Sequence, residues 1–229
     1  MILGHRGAPT EAPENTLRSF QLALAHGADG VELDVQRSRD GVPVVIHDPT
    51  LERTTNGRGR VDEHSWEALR KLVVGENEPI PSLEEIGAWA ANTGAYLNVE
   101  LKSGGAEAAS LAVLQAAGVL DQVLFSSFLP EVVREIGRLA PDSRRYLLLE
   151  RWEASVPALV RELGAGGVCL RDDAATPRAL GELAEAGLPV VVWTVDDPVR
   201  IRELLRVRVA AVITNQPDVA VTERAALNL

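Results

Sequence analysis

Two short stretches of this chain place acidic groups where they can act together. Glu32 and Asp34 stand two apart in Val31-Glu32-Leu33-Asp34-Val35, and Asn98-Val99-Glu100-Leu101-Lys102 repeats that spacing with Glu100 and Lys102. In an extended strand alternate residues point to opposite faces, so each polar pair shares one face and the apolar residues share the other. Carboxylates gathered away from water repel one another unless something positive lies among them. Asp and Glu ligands with no cysteine nearby suit a hard divalent cation, Mg²⁺ or Ca²⁺, with Mn²⁺ as a third candidate. The competing reading makes Glu32, Asp34 and Glu100 the ion-pair partners of Arg6 and Lys102. The repeated spacing at two strand ends favours the metal site.

His5, in Gly4-His5-Arg6-Gly7, and His47, in His47-Asp48-Pro49-Thr50, end two other strand-like runs. Imidazole titrates where a general acid or base is useful, and phosphodiester cleavage needs one of each. Arg6 and Lys102 are the cations expected to hold phosphoryl oxygens. Lys71 and Lys102 are the only lysines in a chain whose Lys and Arg total 23, which gives Lys102 some further weight. His26 precedes Gly27 and reads as a helix C-terminal residue, and His64 as a surface residue; neither is expected to be catalytic.

The elements that position these residues alternate. Strand-like runs are Ile2–His5, Gly30–Val35, Val42–His47, Tyr96–Leu101, Val123–Phe128, Tyr146–Leu149, Gly167–Leu170, Pro189–Val195 and Val209–Thr214. Helical patterns lie between most of them. One runs from Leu17 to His26, capped by Asn15 or Thr16, and another opens on a Ser82/Glu85 capping box. Others are expected near 105–117, 130–139, 155–163, 177–186, 198–206 and 217–226. Only Gln36–Gly41 separates Val35 from Val42, too short for a parallel crossover, and Asp40-Gly41 is a hairpin signal. Val42–His47 is therefore an antiparallel return strand. The remaining eight strand–helix units predict a (β/α)₈ barrel rather than an open doubly wound sheet. Residues 50–80 break the repeat as a small insertion over the C-terminal mouth of the barrel, where such folds carry their sites. The whole chain, 1–229, reads as one barrel domain.

Composition narrows the partners. A formal net charge of −10 disfavours nucleic acid and anionic lipid surfaces and leaves a small anionic substrate open. A single cysteine, Cys169, excludes an intrachain disulfide. With no signal-peptide pattern and no apolar run long enough to span a bilayer, the expected location is cytoplasmic, without stable membrane association.

Six segments in register carry a resemblance. They are Gly4-His5-Arg6-Gly7, Ala12-Pro13-Glu14-Asn15-Thr16, Glu32-Leu33-Asp34-Val35, His47-Asp48-Pro49-Thr50, Glu100-Leu101-Lys102 and Trp193-Thr194-Val195. Together they resemble the glycerophosphodiester phosphodiesterase family over nearly the whole chain. The resemblance implies a barrel, a divalent metal on Glu32, Asp34 and Glu100, and catalytic roles for His5 and His47. It also implies phosphate contacts from Arg6 and Lys102, and hydrolysis of a small-molecule glycerophosphodiester to sn-glycerol 3-phosphate and an alcohol. Trp193 matches a pocket motif, while strand parity alone leaves its direction open. Asn15 has an alternative job as a helix cap. The last strand reads Thr214-Asn215, where the family commonly has Asp after that Thr. Similar barrels also cleave intact phospholipids in the manner of phospholipases C and D, and a non-catalytic phospholigand-binding barrel is the reading from another class.

Overall fold

In a computed structural model that describes residues 1–228, the chain runs as alternating strand and helix. β1 (Ile2–His5), α1 (Leu17–Ala25), β2 (Gly30–Arg37) and β3 (Pro43–Val45) come first. The insertion holds a single helical turn, α2 (Trp66–Leu69), and two short strands, β4 (Val73–Val74) and β5 (Glu78–Pro79). After it come α3 (Leu83–Thr93), β6 (Tyr96–Leu101), α4 (Glu107–Ala116), β7 (Val123–Ser127), α5 (Pro130–Leu139), β8 (Arg144–Leu149) and α6 (Val156–Leu163). The chain closes with β9 (Gly167–Arg171), α7 (Pro177–Glu185), β10 (Val190–Trp193), α8 (Pro198–Arg206), β11 (Ala211–Thr214) and α9 (Pro217–Ala226).

The strands lie in the order β1-β11-β10-β9-β8-β7-β6-β2, all parallel, and β1 pairs back onto β2. That closure makes a (β/α)₈ barrel, as the sequence predicts. β3 stands outside the ring and pairs antiparallel with the end of β2, Val35 opposite Val45. The return strand is shorter than Val42–His47: regular pairing covers Pro43–Val45, and the Ile46 N–H bonds the Asp34 carbonyl at 3.0 Å. The hairpin turns at Gly41, whose φ of 86° suits a residue without Cβ.

Alternation along each strand sorts its side chains into two layers. Val31, Leu33 and Val35 on β2, and Leu97, Val99 and Leu101 on β6, face outward into the main core against the helices. Leu3, Leu148, Cys169, Val191, Ala211 and Ile213 form a smaller apolar cluster. Their parity on the strands sets them inside the barrel. The polar residues of β2 and β6 share this inward parity.

The insertion has its own core of Val44, Ile46, Leu51, Val61, Leu69, Val74 and Ile80. Its β4–β5 hairpin has no counterpart in the sequence expectation, because two-residue strands are too short to carry a periodic signal. The helix boundaries follow the punctuation read from sequence. Ser82 and Glu85 form the capping box, the Glu85 N–H donating to Ser82 Oγ at 3.2 Å and the Ser82 N–H to the Glu85 carboxylate at 2.8 Å. At α1 the cap is Thr16, which accepts from the Ser19 N–H at 3.2 Å, so Asn15 is left for other work. No helix among the described residues is long and apolar enough to cross a membrane.

Since Leu51 is fully buried in the insertion's core, Leu51→Ala removes packing next to the His47 segment. Urea unfolding should show a loss of about 2–5 kcal/mol, the usual cost of such a cavity. A loss below about 1 kcal/mol would mean that the insertion does not unfold with the barrel.

Candidate active site

The inward polar residues of β1, β2 and β6 converge at the C-terminal mouth. One oxygen from each of Glu32, Asp34 and Glu100 lies within 4.8 Å of the others, and all three residues are buried. Two cations stand against them. Lys102 Nζ is 2.6 Å from Glu100 Oε1 and 3.3 Å from Asp34 Oδ1, and Arg6 Nε is 3.0 Å from Asp34 Oδ2. The ion pairs of the competing reading are thus present for two of the acids. They leave Glu32 with the Arg6 backbone N–H at 3.1 Å and His5 Nε2 at 3.9 Å. Arg6 is moreover shared with Glu14, at 2.9 Å.

The electrostatics follow from that shortage of positive charge. Burial, then the neighbouring Asp34 charge, pushes Glu100 up to about 7. Burial, with Asp34 and Glu100 beside it, raises Glu32 well above the usual carboxylate range. Asp34 is equally buried, yet Lys102 and Arg6 hold it below its ordinary value. Its Oδ1 accepts no hydrogen bond. An all-oxygen donor set, short of positive charge and with a buried oxygen that accepts no hydrogen bond, fits a hard divalent cation.

The loops that present these groups adopt unusual backbone. Arg6 and Asn15 have φ of 54° and 58°, in the left-handed region. Asn15 there donates from Nδ2 to Asp34 Oδ2 at 2.8 Å, while the Asp34 N–H donates to Asn15 Oδ1 at 3.2 Å. Asn15 thus orients an acid of the cluster, and the cap role considered for it belongs to Thr16.

His5, Arg6, Glu32, His47, Glu100, Lys102 and Trp193 line one cavity of about 190 Å³. Asn98, Ser126, Phe128, Leu148, Glu150 and Ile213 complete its wall. The Trp193 ring stands edge-on to Phe128, with centroids 5.6 Å apart, so the indole faces the pocket. Sequence reading missed Phe128, Asn98 and Ser126, although Asn98 shares the parity of Glu100 on β6 and Ser126 pairs with Glu100 from β7. His26 and His64 lie elsewhere, His26 against Glu11 at 2.6 Å and His64 Nδ1 against the Arg60 carbonyl at 2.7 Å.

Each cavity histidine is held from behind. His47 Nδ1 is 2.6 Å from Asp48 Oδ1, and His5 Nδ1 is 2.7 Å from Asn215 Oδ1. Arg53 of the insertion reaches across the mouth, bonding Asp48 at 2.5 Å and Glu14 at 2.7 and 2.9 Å. No sequence signal marked Arg53; a lone arginine in a polar loop looks like solvated surface.

A closed barrel with an acid cluster, two histidines and two cations at its C-terminal mouth defines a barrel hydrolase site for an anionic ester. Residues 5–219 match the model of the glycerophosphoryl diester phosphodiesterase family. A glycerophosphodiester phosphodiesterase of Caldanaerobacter subterraneus subsp. tengcongensis is 30% identical over 235 residues, covering 95% of each chain. Among solved structures, an Oleispira antarctica phosphodiesterase in complex with the product sn-glycerol-3-phosphate has a TM-score of 0.92 and 30% identity. That match covers 100% of this chain and 97% of the other. An Agrobacterium tumefaciens glycerophosphodiester phosphodiesterase gives a TM-score of 0.86 at 31% identity, covering 96% of this chain and 98% of the other. The chain belongs to the glycerophosphoryl diester phosphodiesterase family.

Arg53 is the first cause that holds Asp48 down at about 2. In Arg53→Ala the Asp48 carboxyl should titrate nearer the ~3.9 of a free aspartate, as followed by carboxyl NMR. An Asp48 that stays near 2 would show that the clamp does not set its charge.

Proposed function

We propose that this protein hydrolyses glycerophosphodiesters to sn-glycerol 3-phosphate and an alcohol, with His5 and His47 as the acid–base pair and a divalent cation on Glu32, Asp34 and Glu100. The observation that carries this reading is the convergence of both histidines, both cations and the acid cluster on one cavity. The product bound to the Oleispira relative supports the glycerol phosphate half of the substrate.

A cation bound there, Mg²⁺ or Ca²⁺, would polarise a phosphoryl oxygen and offset the charge of the buried acids. Arg6 and Lys102 hold the remaining phosphoryl oxygens and stabilise the charge that builds on them. His5 is kept neutral, because burial and then the Arg6 charge lower its pKa. With Nδ1 turned to Asn215, its free Nε2 takes the proton of the attacking oxygen. His47, its Nδ1 held by the Asp48 carboxylate, delivers a proton to the leaving alkoxide. Phe128 and Trp193 present ring surface to the carbon skeleton. A 190 Å³ cavity suits a small diester better than a lipid with its chains, which separates this reading from a phospholipase.

His5→Ala and His47→Ala should each lower turnover of glycerophosphocholine by at least about 10²-fold. Retention of full rate by either variant removes that residue from the mechanism.

Protons compete with the cation, and the direction of that competition is fixed. Glu32 and Glu100 titrate above their unfolded values, so at these two acids the metal-free fold holds more protons than the unfolded chain between about pH 4.3 and 7. Their contribution to metal-free stability therefore falls as pH rises through this window, and a bound cation would reverse the loss. Added Mg²⁺ should raise the melting temperature more at pH 8 than at pH 5, and Glu100→Gln should shrink the pH 8 shift. An equal shift at both pH values, or a full shift in Glu100→Gln, would contradict the assignment of these ligands.

A further inference from the structure

We infer that Asn215 and Asp196 form a two-residue relay that fixes which nitrogen of His5 carries its proton. The inference rests on the proposed role of His5 as base, but its structural part can be measured without activity.

Hydrogen-bond bookkeeping decides the orientation. Asp196 is a carboxylate on the β10–α8 connection, and it takes three donors. Its Oδ1 accepts the Thr214 hydroxyl at 2.9 Å and the Asn215 N–H at 2.8 Å, and its Oδ2 is 2.7 Å from the Asn215 side-chain nitrogen. A carboxylate offers no donor, so the Asn215 group facing it must be the NH₂. That leaves Asn215 Oδ1 facing His5 Nδ1 at 2.7 Å, and an amide oxygen can only accept. His5 therefore carries its proton on Nδ1, and the lone pair of Nε2 opens on the cavity. Position 215, where the family commonly has Asp, thus keeps an acceptor toward His5, and Asp196 is what turns the neutral amide the right way. Asn215 and Asp196 are positioning residues, since neither lines the cavity.

The bookkeeping also says how to reverse the relay without touching a cavity residue. In Asp196→Asn the new amide must keep its oxygen toward the two donors at Oδ1, Thr214 and the Asn215 N–H. Its NH₂ then faces Asn215, whose amide must turn over to accept. The Asn215 NH₂ now points at His5 Nδ1, which can only accept, and the proton moves to Nε2. The base is then blocked. In the double variant Asp196→Asn/Asn215→Asp, the carboxylate at 215 accepts both from the amide at 196 and from His5 Nδ1–H, which restores the original tautomer.

The test combines ¹⁵N NMR of the four imidazoles with steady-state kinetics on glycerophosphocholine. The native protein should show His5 protonated on Nδ1, and Asp196→Asn should show it protonated on Nε2. The rate constant kcat of Asp196→Asn should fall at least about 10²-fold with KM unchanged, the loss expected for a disabled general base. The double variant should recover Nδ1–H and most of the rate, which a merely structural role for position 196 would not produce. Nδ1–H retained in Asp196→Asn, or a double variant no faster than the single one, overturns the relay. If Asp196→Asn fails to fold, Asn215→Leu decides, because it removes the acceptor without supplying a donor. It should give mixed tautomers and a reduced kcat, and an unchanged tautomer with full kcat overturns the relay. Should His5→Ala stay fully active while Asp196→Asn still switches the tautomer, the reading of His5 as base fails and the relay stands.

Discussion

Three buried carboxylates in one barrel mouth are the constraint to which the rest of the site answers. Two side-chain cations cannot neutralise three acids when one of them, Arg6, is already shared with Glu14. The consequence is a fold whose metal-free mouth holds protons, with Glu100 near 7 and Glu32 well raised. A divalent cation at the cluster would make up the same shortage, in competition with Lys102, which stands 2.6 Å from Glu100 and 3.3 Å from Asp34. The groups around the cluster read as the means of keeping it intact. Asn15, in left-handed backbone, fixes Asp34, and the Arg6 backbone N–H fixes Glu32.

The barrel supplies the acids, and the insertion braces the loop that carries His47. Glu32, Asp34 and Glu100 lie on neighbouring parallel strands whose register sets Asp34 opposite Glu100, so their spacing is as rigid as the sheet. His47 has no such frame, since it lies beyond the end of β3 in a loop. What holds it are the small core under the insertion, the bond from Gln36 to its carbonyl at 3.0 Å, and the Asp48–Arg53–Glu14 bridge to the β1 loop. One half of the chemistry is therefore built on strands and the other is clamped on by side chains.

That division explains what could be read from the sequence. Alternation in Val-Glu-Leu-Asp-Val and Asn-Val-Glu-Leu-Lys gave the direction of the acids directly, because parity on a strand is a local property. The helix ends were legible for the same reason, as with Ser82 and Glu85. Parity could not say which face of β10 pointed inward, and only closure of the ring places Val191, and with it Trp193, inside. Arg53 was illegible as a site residue, and Asn15 stood out only through the motif it shares with the family, not through any pattern of its own. Their partners lie 39 and 19 positions away, across loops whose path no periodicity records. The choice between Asn15 and Thr16 as helix cap turned on one residue of register, and it decided which of them could reach Asp34.

The two histidines differ more in what stands behind them than in what they face. His47 is backed by the Asp48 carboxylate, which accepts the proton on Nδ1. His5 is backed by a neutral amide, and burial with the Arg6 charge beside it disfavours a second proton on the ring. A site that used both in the same protonation state would have no acid opposite its base. The proposed acid–base pair asks one ring to donate and the other to accept, and different partners would allow this without different residue types. They also place the choice in residues outside the pocket, Asp48 and the Asn215–Asp196 pair, where substitution alters proton placement while leaving the substrate's contacts in place.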